Sequence, residues 1–259
     1  MSSEKDKVEL HKELLTLLKI FDEMCRNNGI KYSLHGGTLL GAIREKGFIP
    51  WDDDVDVSLT RDNFYKLRNL FVNINGQCDL YFDEQSNTAP MIWLKRDGNL
   101  PVWIDIFVYD YISENFLLQR LKFCGLVFFL GFTKTDKRIK ITAQGEYQGF
   151  KFIIAYVLYK LGRLFSHRTK LKWKDNFAAN WLLGSKKYMV RSNDQYKALK
   201  LIVSHDAVRD YVMVPFEDTE LMVHVGYDEI LRSSYGDNYM TPMRMSEHEV
   251  NAHQFMREG

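Results

Sequence analysis

The amino-acid sequence predicts an α+β fold, and three observations support that prediction. Hydrophobic residues make up 46% and charged residues 27% of the 259-residue chain, which is ordinary globular usage. Helical spacing of apolar residues and strand-like alternation both occur along the chain. No repeated strand–helix–strand period stands out, so a doubly wound parallel sheet is the less favoured architecture.

The first elements are predicted from apolar periodicity and from turn residues. Residues 8–28 have leucine and phenylalanine at three- and four-residue steps, which predicts an amphipathic helix. Residues 30–34 alternate as a short strand, and a glycine pair interrupts them. Thr38 is a suitable N-cap for a short helix that continues through Arg44.

The later elements follow the same rules. Residues 54–59 alternate as a strand, and Thr60 is the predicted cap of a helix that runs to Val72. Further strands are predicted at residues 78–83, 91–95, 102–109, 211–215 and 219–225. Residues 116–132 and 150–165 are predicted helices, and Asp228 and Glu229 open a last helix that Gly236 closes.

Composition also excludes several classes of protein. The three cysteines are far apart with no CxxC pair, which argues against a zinc ribbon or a disulfide framework and favours a reducing cytoplasm. The charged N-terminus lacks the apolar core of a signal peptide, so export is not expected. The longest apolar run, residues 123–132, is too short to span a bilayer. A net charge of +1 predicts no general attraction to nucleic acid.

The most informative local feature is an acidic run, Pro-Trp-Asp-Asp-Asp-Val-Asp-Val, at residues 50–57. Side chains alternate between the faces of a strand, so Asp54 and Asp56 would share one face while the two valines anchor the other. A hard divalent cation such as Mg²⁺ or Mn²⁺ would neutralise the pair. The alternative interpretation is an exposed acidic turn that leads into an edge strand.

Two further features accompany the acidic run. Asp105 lies inside an apolar strand, where a buried and unpaired carboxylate is costly, so it is either a third metal ligand or an acid satisfied by hydrogen bonds. Gly36, Gly37 and Thr38 lie between a strand and a helix, where backbone amides can hold a phosphate, although glycine pairs are usually turns. Arg44 would add a bidentate phosphate contact or form a surface ion pair.

Charge is unevenly distributed along the chain. Residues 1–110 contain 13 Lys/Arg and 18 Asp/Glu, whereas residues 137–174 contain ten Lys/Arg and one Glu. The basic segment is interleaved with Phe, Ile, Tyr and Leu. It is therefore either a helix that lies on an anionic membrane or a core-packing helix with a solvated basic end. We divide the chain into residues 1–112, a helical and basic region at 113–200, and residues 201–259, which complete the first domain.

The glycine and aspartate motifs together resemble the LicD family of bacterial phosphocholine transferases, which is related to the fukutin group. The resemblance is carried by His-Gly-Gly-Thr-Leu-Leu-Gly-Ala-Ile-Arg at residues 35–44 and by Gly-Phe-Ile-Pro-Trp-Asp-Asp-Asp-Val-Asp-Val at residues 47–57. It extends to Ile-Asp-Ile-Phe at residues 104–107. A weaker tail motif follows at residues 235–240, with Pro242 and His248 after it. Residues 116–200 carry no matching motif.

The resemblance implies a nucleotidyltransferase (polymerase-β-like) core with a mixed β-sheet flanked by helices. It implies CDP-choline as donor, a hydroxyl of a cell-surface glycan or its lipid-linked precursor as acceptor, and CMP as product. At the matching positions, Asp54, Asp56 and Asp105 would be the catalytic metal ligands. Gly36, Gly37, Thr38 and Arg44 would bind the donor phosphates. Trp51 is a candidate for the choline ammonium group, because quaternary ammonium ions prefer aromatic faces.

Other functions remain open at this level. The donor could carry ribitol, glycerol or ethanolamine, or the enzyme could transfer the nucleotide itself to a hydroxyl. A non-catalytic module on the same fold is a third interpretation, which the complete acidic set disfavours. The His-Glu-Val-Asn-Ala-His run at residues 248–253 places its second histidine one position too late for a zinc protease helix.

Overall fold

The computed structural model describes residues 4–74, 80–83, 90–94, 102–141, 149–180, 186–195 and 198–242. It confirms the predicted α+β class, with a mixed sheet flanked by helices. The helices are α1 (Glu4–Asn27), α2 (Gly36–Arg44), α3 (Arg61–Ile74), α4 (Phe116–Phe132), α5 (Asp136–Ile141), α6 (Phe150–Gly162), α7 (His167–Asn180), α8 (His205–Arg209) and α9 (Tyr227–Tyr235). The strands are β1 (Ser33–Leu34), β2 (Asp56–Thr60), β3 (Leu80–Asp83), β4 (Met91–Leu94), β5 (Trp103–Ile112), β6 (Tyr188–Arg191), β7 (Ile202–Ser204), β8 (Tyr211–Phe216) and β9 (Thr219–His224).

Strand β5 is the centre of the main sheet. The sheet runs in the order β1-β2-β5-β4-β3, and β6 also pairs with β5 and carries β7 beyond it. Strands β2 and β5 are parallel, whereas the other pairs in this sheet are antiparallel. Strands β8 and β9 form a separate antiparallel hairpin. The main sheet is therefore mixed, and its parallel pair brings the acidic run beside β5.

A side chain fills a gap along one edge of β5. Strand β4 pairs with β5 up to Asp105, and β6 pairs from Tyr109 onward. Between them, the Asn193 amide donates to the Ile106 carbonyl at 2.8 Å and accepts from the Val108 N–H at 2.8 Å. Asn193 thus continues the ladder in place of a strand, and it fixes the segment that follows β6 against β5.

The core lies on the sheet face opposite the paired aspartates. Val57 and Leu59 of β2 and Ile104, Ile106 and Val108 of β5 alternate with the polar positions, and all five are buried. They join apolar residues of α1 and α3 in one cluster. Burial of this face anchors β2 and β5, so the opposite face is free to carry polar side chains without loss of the fold.

Buried charges attach the helical region to the sheet. Arg61 at the start of α3 donates to Asp110 of β5 at 2.9 Å and to Asp175 of α7 at 2.7 Å. Lys122 of α4 is also buried, and its ammonium donates to the carbonyls of Tyr111 and Ala178. Helices α4 and α7 are therefore held on the sheet by ionic and polar contacts as well as by apolar packing.

Several boundaries differ from those that the sequence predicts. Helix α2 begins at Gly36 with His35 in the N-cap position, so the predicted cap Thr38 lies inside the helix. The Thr38 hydroxyl instead accepts the N–H of Asp56 at 3.0 Å, which ties α2 to the start of β2. Five elements of the structure were not predicted from the sequence, namely α5, α7, α8, β6 and β7. Parts of the predicted strands at 78–83 and 91–95 lie outside the described residues.

Candidate active site

Three predicted carboxylates come together at the start of the parallel pair. Asp56 and Asp105 are direct partners in the β2–β5 register, and Asp54 lies two residues before Asp56. One carboxylate oxygen from each of the three lies within 4.8 Å of the other two. Strand β2 begins at Asp56 rather than at the predicted Asp54, yet the two side chains still share one side of the chain. The predicted convergence of these acids is confirmed as geometry.

Mutual repulsion and burial dominate the electrostatics of this cluster. Burial and the nearby Asp54 raise the pKa of Asp105 to about 6. Burial, followed by the charges of Asp54 and Asp105, raises the pKa of Asp56 well above its ordinary value. The pKa of Asp54 is also raised, by burial and by Asp53. The charges that act on the cluster within the described chain are thus carboxylates, and the site disfavours its own full ionisation.

A divalent cation fits this donor set. Oxygen is the ligand type that Mg²⁺ prefers, and three carboxylates offer it within a small volume. Asp105 Oδ1 is buried and accepts no hydrogen bond from the described residues. A cation placed among the three would satisfy that oxygen and remove the repulsion that raises the pKa values.

Asp52 is a fourth acid at the site, and it is not among the site residues predicted from the sequence. Its Oδ2 is buried without a hydrogen-bond partner in the described chain. Burial and the charges of Asp54 and Asp53 raise its pKa to about 7. Its carbonyl accepts the His11 Nε2–H at 2.7 Å, which links the acidic run to α1. Asp52 has the same even-numbered parity as Asp54 and Asp56, and that signal would have identified it.

The glycine pair makes room for two of these acids. A Cβ at Gly36 would lie 2.3 Å from Asp56 Oδ2, and a Cβ at Gly37 would lie 2.5 Å from Asp52 Oδ2. Gly36 also has a φ of +55°, a conformation that other residues rarely adopt. The two glycines therefore bring the N-terminus of α2, with its partial positive charge, directly against the carboxylates.

The other predicted binding residues occupy different surroundings. Arg44, at the far end of α2, donates to Glu45 at 2.6 Å and to the Tyr239 carbonyl at 3.5 Å. Its Nη2 is buried and has no partner among the described residues. Trp51 is partly buried and packs against the main core. His248 lies outside the described residues.

A histidine and an arginine lie on the same sheet face as the acids. Arg191 Nη1 donates to Nε2 of His35, and Arg191 Nε lies 3.1 Å from an oxygen of Asp194. Burial and the nearby Arg191 charge lower the pKa of His35 well below its ordinary value, so its ring is neutral. The guanidinium lies 6.0 Å from the Phe107 ring centre, two positions along β5 from Asp105. The sequence signal for His35 was its place before the glycine pair, whereas nothing in the sequence singled out Arg191.

Comparison with known proteins identifies the segment that carries this site. Residues 29–125 match the family model described as LicD/FKTN/FKRP, nucleotidyltransferase domain. A lipopolysaccharide cholinephosphotransferase LicD of Haemophilus influenzae is 27% identical over 254 residues, which cover 88% of this chain and 89% of that protein. An uncharacterised protein of Rickettsia typhi is 41% identical over 131 residues, or 47% of this chain and 41% of that protein.

The matched segment and the geometry coincide. Residues 29–125 include α2, the acidic run and all of β5, and hence every carboxylate of the cluster. The relative from Haemophilus influenzae extends the similarity over most of the remaining chain. The resemblance seen in the sequence motifs is confirmed: residues 29–125 match the LicD/FKTN/FKRP family model, and a LicD protein is similar to this chain over most of its length.

Proposed function

We propose that this protein transfers phosphocholine from CDP-choline to a hydroxyl of a cell-surface glycan or its lipid-linked precursor, with release of CMP. The observation that carries the proposal is the cluster of Asp54, Asp56 and Asp105 on registered strands inside the family segment. The name of the Haemophilus influenzae relative, a lipopolysaccharide cholinephosphotransferase, supports phosphocholine as the transferred group.

Asp54, Asp56 and Asp105 are the residues that would hold a divalent cation. When bound, such an ion supplies positive charge for the donor diphosphate and for the leaving CMP. The β2–β5 register fixes two of these carboxylates before any ligand binds, so little reorganisation is needed. The N-terminus of α2, opened by Gly36 and Gly37, faces the same place and favours a phosphate group there.

Asp105 is the proposed acceptor of the proton from the glycan hydroxyl. In the reaction, the acceptor oxygen forms a bond to phosphorus, the bond from phosphorus to the CMP oxygen breaks, and the hydroxyl proton moves to the carboxylate. The ionised carboxylate of Asp105 would act in this step as a general base. Trp51 is proposed to contact the choline ammonium, and Arg44 the donor phosphates.

The experiment is a transfer assay with CDP-choline, Mg²⁺ and a glycan acceptor, read by mass spectrometry. We expect a phosphocholine adduct and CMP from the wild type and from Asp53→Asn, and no adduct from Asp54→Asn or Asp56→Asn. Asp53 is the matched control because it is exposed and lies outside the carboxylate cluster. Arg44→Ala should weaken donor binding by about 1.5–3 kcal/mol, measured by calorimetry.

Each rival function gives a different result in the same assay. A nucleotide adduct with pyrophosphate release would identify a nucleotidyltransferase. Turnover of CDP-ribitol, CDP-glycerol or CDP-ethanolamine in place of CDP-choline would identify another phosphoalcohol as the transferred group. Wild-type turnover in Asp54→Asn or Asp56→Asn would refute the assignment of the cluster.

A further inference from the structure

Helix α6 exposes a continuous apolar stripe. Six large apolar side chains along α6 and the turn after it have exposed fractions between 45% and 76%, and they are Phe150, Ile153, Ile154, Val157, Leu161 and Leu164. Their spacing of three and four residues places them on one side of the helix, since an α-helix turns 100° per residue. The stripe extends over 15 residues, from Phe150 to Leu164, so it is a continuous surface rather than one exposed side chain.

The opposite side of α6 already packs against the protein. Ala155 and Tyr159 are buried, and the Tyr159 hydroxyl donates to Asp136 of α5 at 2.7 Å. Leu158 lies against Gly131 of α4, where an added Cβ would meet it at 2.8 Å. The helix is therefore apolar on both sides, and the exposed stripe is not the part that joins it to the core.

Positive charge surrounds the exposed stripe. Lys151 and Lys160 are exposed and lie one on each side of it, and the exposed Arg163 follows at the end of the helix. Residues 150–174 contain no Asp or Glu. An apolar centre with a basic border complements a surface that offers hydrocarbon below negatively charged head groups.

We propose that the α6 stripe is an interfacial anchor that binds anionic phospholipid membranes. A second copy of this chain fits the stripe poorly, because a two-fold contact would place the basic border against itself. None of the described helices has the length and apolarity needed to cross a membrane. Helix α6 would lie in the head-group region with Val157 and its neighbours at the boundary with the acyl chains.

Helix α4, which packs on α6, presents a second exposed set. Leu117, Leu121 and Phe128 recur at four- and seven-residue steps along one side of α4, and each is exposed.

The basic residues of the 137–174 segment are not all available to a membrane. Lys170 is buried, so part of the positive charge of this segment lies inside the protein. Lys151 and Lys160 are therefore the better residues for testing the electrostatic part of binding.

The test is co-sedimentation of the full chain with vesicles of phosphatidylcholine, with and without phosphatidylglycerol. We expect binding only to the anionic vesicles at low salt and partial release at high salt. Val157→Asp should weaken binding at least about tenfold, as expected when one aliphatic side chain no longer partitions into the apolar layer. Lys151→Glu with Lys160→Glu should weaken binding to the anionic vesicles by a similar factor.

Val72→Asp is the matched control, because Val72 on α3 is 71% exposed and lies outside the stripe, whereas Val157 is 51% exposed. It should bind vesicles as the wild type does, and both variants should keep wild-type melting temperatures. Equal binding by Val157→Asp and wild type would overturn the proposal, as would absence of wild-type binding at low salt. Self-association that Val157→Asp abolishes, without vesicle binding, would assign the stripe to a second copy. The vesicle result is independent of donor choice, so its failure would leave the proposed transferase activity intact.

Discussion

Replacement of Asp105 by asparagine tests the electrostatic account of the site most directly. The pKa of Asp105 is about 6 in the folded protein, against an ordinary value of 3.8. Between these values the folded chain binds more protons than the unfolded chain does, so the stability contributed by this group rises as the pH falls. The difference corresponds to about 3 kcal/mol of destabilisation at pH 8, where the carboxylate is ionised in both states.

Asp105→Asn should therefore raise the free energy of unfolding of the metal-free protein at pH 8, by up to about 3 kcal/mol. The gain should shrink toward zero as the pH falls below about 4, because the wild-type carboxyl is then neutral too. Urea unfolding in the presence of a chelator at several pH values measures both effects. Asp53→Asn is the matched control, since Asp53 is exposed and does not act on Asp105, and its effect on stability should be clearly smaller than that of Asp105→Asn.

The same variant makes an opposite prediction for metal. Mg²⁺ should raise the melting temperature of the wild type at pH 8 but should raise that of Asp105→Asn much less, because one ligand oxygen has lost its charge. Two results would refute this account of Asp105 as a carboxylate that is repelled by its neighbours and stabilised by a cation. One is an Asp105→Asn variant that is less stable than wild type in chelator at pH 8. The other is a variant whose melting temperature responds to Mg²⁺ as that of the wild type does.

Three further variants test other parts of the structure. Gly36→Ala should lower the free energy of unfolding more than Gly29→Ala does. Both glycines have positive φ, but only a Cβ at Gly36 would meet a carboxylate oxygen, at 2.3 Å. Equal losses of stability in urea unfolding would contradict this prediction. Arg61→Ala should lower the free energy of unfolding by about 3–5 kcal/mol, because it leaves the buried Asp110 without its cation. A decrease below about 1 kcal/mol in thermal unfolding would contradict the importance of the Arg61–Asp110 ion pair. Burial lowers the pKa of His224 to about 3. The free energy of unfolding of the wild type should therefore fall relative to that of His224→Leu, by about 1.4 kcal/mol per pH unit below pH 6.5. A difference that does not change with pH would show that the ring is not buried in its neutral form.

The sequence predicted the convergence of the carboxylates better than it predicted the boundaries of the fold. Parity along a strand was enough to place Asp54 and Asp56 together, because the adjacent valines must enter the core. Alternation was not enough to place Asp105 beside them, since β2 and β5 are far apart in the sequence and no local pattern specifies that they pair. The family motifs, not periodicity, supplied that link.

The missed elements share a physical cause. Strand β6 is four residues long and β7 is three, so neither has enough alternation to be distinguished from a loop. Helix α7 is polar along most of its length, and Asp175 and the contact of Lys122 hold it together with a small apolar cluster that includes Phe177 and Ala178. The position of Arg191 beside His35 could not be predicted for the same reason, since it depends on the pairing of β6 with β5.

Strand β5 carries two acids whose electrostatic environments are opposite. Asp110 points to one side of the sheet, where Arg61 neutralises it in every folded molecule. Asp105 points to the other side, where its neighbours are acids. Asp110 therefore has its counter-ion within the chain, whereas the charge that acts on Asp105 is that of another acid. Binding of the proposed cation should relieve this repulsion, so ligand occupancy and fold stability should change together at β2 and β5.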